Sequence, residues 1–147
     1  MKKFLLITTL ALSVISVSSC SNKEDETEVS MNNFENAEYV KSQMLGKWNY
    51  WGHKSPSCNC WSYNGDIYKG YYTFTTDNKY SFKHEVSNEL QNGTYSITPA
   101  TKTNNAYLTL TYQVSGVNKY RTIILKDLTG NQAIVFESGY DQRYDKE

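Results

Sequence analysis

Two cysteines separated by one residue, Cys58 and Cys60, carry the most evident side-chain chemistry in the body of the chain. In an exported domain such a pair predicts a disulfide. Residues two apart in an extended chain lie near the upper limit of bridgeable Cα separation, so the chain must bend at Asn59. One alternative is a metal site in which His53 and His84 join the two thiols, a ligand set that zinc accepts. A second alternative is that the two thiols are free or bonded to another chain. Of these possibilities we expect the disulfide, and we expect no metal or cofactor.

Catalytic and nucleic-acid-binding patterns are missing from the sequence. It holds no Gly-x-Ser-x-Gly elbow, no His-Glu-x-x-His and no glycine loop of the phosphate-binding kind. Lys and Arg together number 15, as do Asp and Glu, and no basic stripe stands out. We therefore expect a binding domain that is not an enzyme and does not bind nucleic acid.

Aromatic residues are unusually frequent, with 13 Tyr, 3 Trp and 5 Phe. Four of them, Trp51, Trp61, Tyr63 and Tyr72, lie in or beside one long loop. Aromatic rings with a polar tip suit stacking on a flat ligand or a glycan, and these four are candidate contacts. They equally suit packing at one end of a β-rich fold and along its strands. The sequence leaves both interpretations open.

The first nineteen residues have the layout of an export signal. Lys2 and Lys3 precede an uncharged stretch from Phe4 to Val17, and small residues follow. The stretch is shorter than the roughly 20 apolar residues of a membrane-spanning helix. Residues 1–19 are therefore predicted to be a cleaved signal peptide.

Cys20 stands directly after this signal. Val17-Ser18-Ser19-Cys20 resembles the lipobox of bacterial lipoproteins, which implies that Cys20 is lipidated and becomes the first mature residue. Acyl chains then anchor the protein, at about 0.8 kcal/mol per buried methylene. The run Lys23-Glu24-Asp25-Glu26 resembles the surface-export signal of Bacteroidota lipoproteins, which implies an outer-membrane protein facing outside the cell. The alternative is a solvated acidic linker, and 20–35 is predicted to be a flexible tether.

Residues 36–147 have the pattern of an all-β domain preceded by a short helix. The cleanest alternation, Tyr107 to Val114, places Leu108 and Leu110 on one face. Turn residues, including Asp-Asn at 77–78 and Asn-Gly at 92–93, separate eight short strands. Such a meander removes its edges by closing, which predicts an antiparallel up-and-down barrel of eight strands. Its interior is either filled by side chains or holds one small ligand.

Gly46 and Trp48, which follow the predicted helix, resemble the Gly-x-Trp opening of the lipocalin and fatty-acid-binding superfamily. The strands up to Arg143-Tyr144 are similar to the compact lipocalin-like domains of Bacteroidota lipoproteins. This resemblance implies that Trp48 closes one end of the barrel and that Arg143 packs over it. It also implies binding of a small apolar or amphipathic molecule. The alternative function is a surface module that binds a glycan or a protein through the aromatic loop, with the barrel as scaffold.

Overall fold

The computed structural model describes residues 34–63 and 69–147. The predicted signal peptide, Cys20 and the tether up to residue 33 lie outside the described residues. Within the described ranges, no helix is long and apolar enough to cross a membrane.

The short helix predicted before the barrel is α1, Ala37–Met44. It begins at Asn36, whose side-chain oxygen accepts hydrogen bonds at 3.0 and 3.1 Å from two backbone N–H groups of the first turn. Val40 and Met44, four residues apart, lie on one helix face and are buried. The helix therefore covers one end of the sheet that follows.

Phe34 also belongs to the folded domain. The predicted tether extended to residue 35, but the Phe34 side chain packs against the core. Its carbonyl accepts a hydrogen bond from the Ala100 N–H at 2.8 Å. Among the described residues, packing against the barrel therefore begins at Phe34, two residues before the predicted start of the domain.

Nine strands follow in the described part of the chain, each antiparallel to its neighbours. They are β1 Gly46–Ser55, β2 Cys60–Ser62, β3 Gly70–Phe74, β4 Lys79–His84, β5 Leu90–Thr98, β6 Ala106–Val114, β7 Val117–Thr129, β8 Gln132–Glu137 and β9 Tyr140–Lys146. Eight of them form a closed ring, because β9 pairs back onto β1. The eight-stranded antiparallel barrel is confirmed. The short strand β2 pairs only with the end of β1, outside the ring.

Turn residues with positive φ join several of these strands. Asn78 has φ 61°, Ser115 and Gly116 have φ 52° and 78°, and Ser138 and Gly139 have φ 53° and 87°. Two consecutive residues of positive φ are typical of the tight hairpin turn that matches strand twist. The turn at Asn78 lies where the sequence predicts one.

The turn predicted at Asn92-Gly93 is wrong, because both residues lie inside β5. The chain turns earlier, near Asn88, which has φ 56°. A side-chain Cβ at Gly93 would overlap the Thr111 carbonyl oxygen and lie 2.8 Å from the Tyr80 ring. This glycine therefore serves a close contact within the barrel wall.

The half of the barrel next to α1, which we call the closed half, is filled by apolar side chains. They include Met44, Trp48, Phe74, Leu108, Ile123, Leu125 and Val135. The cavity that remains among them has a volume of about 30 Å³, the room of one water molecule. The closed half therefore has no space for an apolar ligand.

Candidate functional site

Trp48 closes the covered end of the barrel, as the resemblance implied. It is 2% exposed, and its Nε1 donates a hydrogen bond of 2.7 Å to the Met44 carbonyl at the end of α1. The β1–β9 register places Lys146 opposite, with its Nζ 5.2 Å from the centre of the Trp48 ring. Trp48 therefore joins the helix to the barrel, and the side chain that makes a cation–π contact with it is Lys146.

The predicted pairing of Trp48 with Arg143 is wrong. Arg143 lies opposite Gly52 in the ladder, and its guanidinium carbon is 4.1 Å from the centre of the Trp51 ring. The reason is strand alternation: the neighbours of Arg143, Gln142 and Tyr144, are buried in the barrel, so Arg143 faces outward. A guanidinium on the outer wall cannot reach a ring in the core.

Three of the aromatic candidates form a group on the outer wall, which we call the outer aromatic cluster: Trp51, Trp61 and Tyr63. The Trp51 ring centre lies 6.0 Å from that of Trp61 and 4.3 Å from that of Tyr63. Because the Arg143 guanidinium also lies over the Trp51 ring, side chains of the protein surround this ring. Tyr63 is 61% exposed and has the most solvent-accessible ring of the three. The cluster thus fastens the β1–β2 hairpin to the barrel wall.

Tyr72, the fourth aromatic candidate, does not belong to this surface. It is 4% exposed and points into the barrel, where its ring lies 4.6 Å from that of Phe82. As an external ligand or glycan contact it is wrong, because β3 alternates and places Tyr72 on the same inward face as Phe74.

Cys58 and Cys60 form a disulfide in the exposed turn between β1 and β2. Their Cα atoms are 5.1 Å apart, within the range that a disulfide bridges. Asn59, between them, has φ 52°, which supplies the bend. His53 Nδ1 shares a 3.0 Å hydrogen bond with a tyrosine hydroxyl, and His84 Nδ1 accepts one of 3.0 Å from a backbone N–H. Across residues 34–63 and 69–147, no three His, Cys, Asp or Glu side chains are grouped to hold a metal.

A band of polar side chains crosses the interior above the closed half, and we call it the polar layer: Tyr72, Arg121, Glu137, Gln142 and Tyr144. Arg121 lies two residues before the buried Ile123, and Glu137 two after the buried Val135, so both face inward. The Arg121 guanidinium donates two hydrogen bonds to the Glu137 carboxylate. This ion pair is the centre of the layer.

Among the described residues, Gln142 Nε2 has no hydrogen-bond partner, and the Tyr72 hydroxyl has only the Arg121 guanidinium beside it. Gln142 is fully buried, and its Oε1 accepts a 2.9 Å hydrogen bond from the Tyr144 hydroxyl. Burial raises the pKa of Tyr72 and of Tyr144 above the usual value, so both remain neutral. A buried polar atom without a partner costs about 1–3 kcal/mol. Such atoms are uncommon in folded proteins.

A cavity of about 430 Å³, the mouth cavity, lies at the end of the barrel away from α1. This volume is in the usual range for small-molecule sites. Apolar atoms come from Phe82, Leu90, Tyr112 and Val114. Polar groups come from His84, Glu89, Gln91, Asn92, Gln113 and Arg121. The mixed lining suits an amphipathic molecule, and Arg121 belongs to both the cavity and the polar layer.

Tyr80 stiffens the floor of the same end. Its hydroxyl donates a 2.9 Å hydrogen bond to Gln91 Oε1, and burial raises the pKa of Tyr80 to about 12. Gly93 leaves the space that the Tyr80 ring occupies. The absent side chain on β5 thus allows a tyrosine to hold one polar wall of the cavity.

Arg121, Glu137 and Gln142 are not among the site residues predicted from the sequence. The sequence does contain a pattern that points to Arg121, because Arg121 lies on the same strand face as Ile123 and Leu125. A charged side chain in phase with core residues marks either a strand end or a buried polar group. Only the closed ring, which brings β3, β7, β8 and β9 together, distinguishes the two.

Comparison with known proteins gives a likeness of fold. No family model and no curated protein matches the sequence. A solved structure of a lipocalin-like protein from Bacteroides uniformis is similar, with a TM-score of 0.53 and 15% sequence identity. The match covers 71% of this chain and 99% of that chain. The likeness shows that the domain has a lipocalin-like barrel fold.

Proposed function

We propose that this chain is a membrane-anchored lipoprotein whose lipocalin-like barrel binds a small amphipathic ligand in the mouth cavity. The observation that supports a mouth site is the contrast between the two halves of the barrel. The closed half retains about 30 Å³ among apolar side chains, whereas the mouth cavity has about 430 Å³ and a mixed lining. A ligand that fits the mouth presents apolar surface to Phe82 and Leu90 and polar atoms to Arg121.

Binding is tested on the mature chain carrying Cys20→Ser, with 2-acetylnaphthalene as an amphipathic probe. Leu90→Ser with Val114→Ser removes apolar wall from the cavity at two exposed positions, so the fold is retained. We expect the dissociation constant to rise at least tenfold. Val117→Ser is the matched control, because Val117 pairs with Val114 across the hairpin, is similarly exposed and does not line the cavity. Equal affinities in all three proteins would contradict a mouth site.

The anchor in this proposal rests on the sequence. Val17-Ser18-Ser19-Cys20 supports lipidation, and the acidic run from Lys23 supports an outer-membrane location facing outside the cell. The chain enters the barrel through Phe34 and α1 at the closed end. A tether attached there leaves the mouth cavity on the side away from the attachment.

The anchor is tested by following the chain in cell fractions after labelling with palmitate. We expect the label on the wild-type protein and its recovery with membranes, whereas Cys20→Ser is unlabelled and released. Replacing Lys23 to Glu26 by alanine is expected to protect the protein from protease added to intact cells. Membrane recovery that is the same for Cys20→Ser and wild type would overturn the anchor.

A second candidate function is contact of the outer aromatic cluster with a glycan or a protein. The observation that favours it is the 61% exposure of Tyr63 beside Trp51. The enclosure of Trp51 by Arg143 weakens it, because stacking needs a free ring face. This second function is tested by comparing the wild type with the Tyr63→Ala, Trp61→Ala double variant on a glycan array. Binding by the wild type that the double variant loses would support contact through the cluster. Binding that the double variant retains would rule this function out.

A further inference from the structure

The disulfide between Cys58 and Cys60 is open to solvent. Both cysteines, and Asn59 between them, are exposed in the turn that joins β1 to β2. Thiol–disulfide exchange requires a thiolate to reach one of the two sulfur atoms, so a disulfide inside a core is protected by its burial. This bridge lacks that protection.

The hairpin that carries the bridge is held by contacts that do not involve the sulfur atoms. Strands β1 and β2 pair from His53–Ser62 to Ser55–Cys60, and the Asn59 N–H donates a 2.9 Å hydrogen bond to the Ser55 carbonyl. The outer aromatic cluster fixes the same hairpin on the barrel wall. Reduction therefore leaves two thiols on a hairpin that keeps their Cα atoms near the present 5.1 Å. The bond can form again without refolding of the chain.

The fold also contributes little to keeping the bridge oxidised. The bridge closes a loop of only three residues, so it restricts the unfolded chain slightly and stabilises the fold slightly. Because such coupling is reciprocal, the fold favours the disulfide over the two thiols by the same small amount. Exposed disulfides with little support from their fold are the ones that are reduced easily and that serve regulation or catalysis.

We propose that Cys58 and Cys60 form a reversible redox site that exchanges with thiol compounds. In the reducing direction a thiolate attacks one Sγ, the sulfur–sulfur bond breaks, and its electron pair leaves on the other Sγ, which takes up a proton from water. A second thiolate then attacks the sulfur of the attached group and releases the remaining cysteine, which is protonated in turn. Two thiols are thereby oxidised to one disulfide, and the protein gains two thiol groups. This site is independent of the mouth cavity, and a small disulfide such as oxidised glutathione reverses the exchange.

A redox titration of the mature Cys20→Ser chain tests this proposal, because Cys58 and Cys60 are then its only cysteines. The chain is equilibrated with reduced and oxidised glutathione, and its free thiols are alkylated and counted by mass spectrometry. We expect half of the folded chains to be reduced under conditions no more than about tenfold more reducing, as the ratio of squared reduced to oxidised glutathione, than the unfolded chain in urea requires. The circular dichroism of the barrel should stay unchanged. A larger difference, or loss of the barrel on reduction, would overturn the proposal.

Access to the sulfur atoms is tested separately with two single-cysteine chains. Cys58→Ser and Cys60→Ser, each combined with Cys20→Ser, keep one thiol in the exposed turn. We expect oxidised glutathione to add one glutathione to at least one of these folded chains, since one reachable sulfur is enough for exchange. The chain that lacks all three cysteines is the matched control and should gain none. If both single-cysteine chains react only after urea is added, the fold shields the sulfur atoms and the proposal is wrong.

Discussion

The Arg121–Glu137 pair is the residue-scale feature on which the site depends. Glu137 is buried, whereas the Arg121 side chain is 29% exposed toward the mouth cavity. Removal of one partner from such a pair strands a charge, while removal of both is far less costly. The pair therefore defines the floor of the mouth without adding much net stability.

Glu137→Gln is expected to lower the free energy of unfolding by about 2 kcal/mol, below the usual cost of breaking a buried pair because Arg121 is partly solvated. Arg121→Met combined with Glu137→Met is expected to recover most of the loss. Urea unfolding of the single and double variants measures both values. A double variant less stable than Glu137→Gln would show that the pair is a net source of stability.

Gly93 is the second position where one residue decides the geometry. Gly93→Ala is expected to cost at least about 2 kcal/mol, because its Cβ would overlap the Thr111 carbonyl and crowd the Tyr80 ring. Gly130→Ala is the control, since a Cβ at Gly130 meets nothing within 4 Å. It should change the unfolding free energy by less than about 0.5 kcal/mol. A tolerated Gly93→Ala would mean that β5 and β6 separate more easily than their contacts indicate.

At the scale of elements, strand β2 and its disulfide are an addition to the barrel. Closure is made by β9 pairing onto β1, and β2 has no part in it. The outer aromatic cluster already holds the β1–β2 hairpin on the wall. The disulfide therefore secures a local turn.

Cys58→Ser with Cys60→Ser is expected to cost about 1.5 kcal/mol at most, because the bridge closes a loop of three residues and removes little unfolded-state entropy. The wild type under a reducing agent should unfold at the same urea concentration as the double variant. The far-ultraviolet circular dichroism of the barrel should be retained. A loss of several kcal/mol would show that β2 supports the barrel itself.

Some strands and turns of this fold can be predicted from the sequence, and others cannot. Alternation along strands such as β6 predicts the barrel, because one buried face forces a period of two. Strand β2 is missed because three residues are too few to show a period. Asn92-Gly93 is misread because its turn preference is local, whereas the need for glycine at 93 comes from Thr111 and Tyr80 across the sheet.

The site is less predictable than the fold, and the reason is register. The ladder between β1 and β9 shifts between Tyr50 and Gly52, which places Arg143 beside Trp51. No property of either strand alone fixes that shift. The polar layer likewise exists only after ring closure, because Arg121, Glu137 and Gln142 come from three strands and each resembles a surface residue in its own segment.

At the scale of the whole molecule, buried tyrosines couple folding to alkaline pH. Burial raises the pKa of Tyr72, Tyr80 and Tyr144, with Tyr80 at about 12. In the unfolded chain these phenols ionise near pH 10. Their contribution to stability is therefore complete below about pH 10 and is lost as pH rises through 10 toward 12 and beyond.

Absorbance at 295 nm is expected to rise in two phases on alkaline titration: exposed tyrosines near pH 10, and buried ones later, together with loss of near-ultraviolet circular dichroism. Tyr120→Phe, at a 68% exposed position, should reduce the first phase only. Tyr72→Phe should reduce the second. A single phase near pH 10 with the barrel still folded would contradict the burial of these hydroxyls.

The proposed ligand lies in the mouth cavity and not in the closed half of the barrel. Methyl NMR of the mature Cys20→Ser chain, titrated with 2-acetylnaphthalene, tests it most directly. Leu90 and Val114 line the mouth cavity, whereas Leu108 and Leu125 pack in the closed half. We predict saturable shifts of the Leu90 and Val114 methyls with Leu108 and Leu125 unchanged; largest shifts at Leu108 and Leu125, or none anywhere, would contradict the claim.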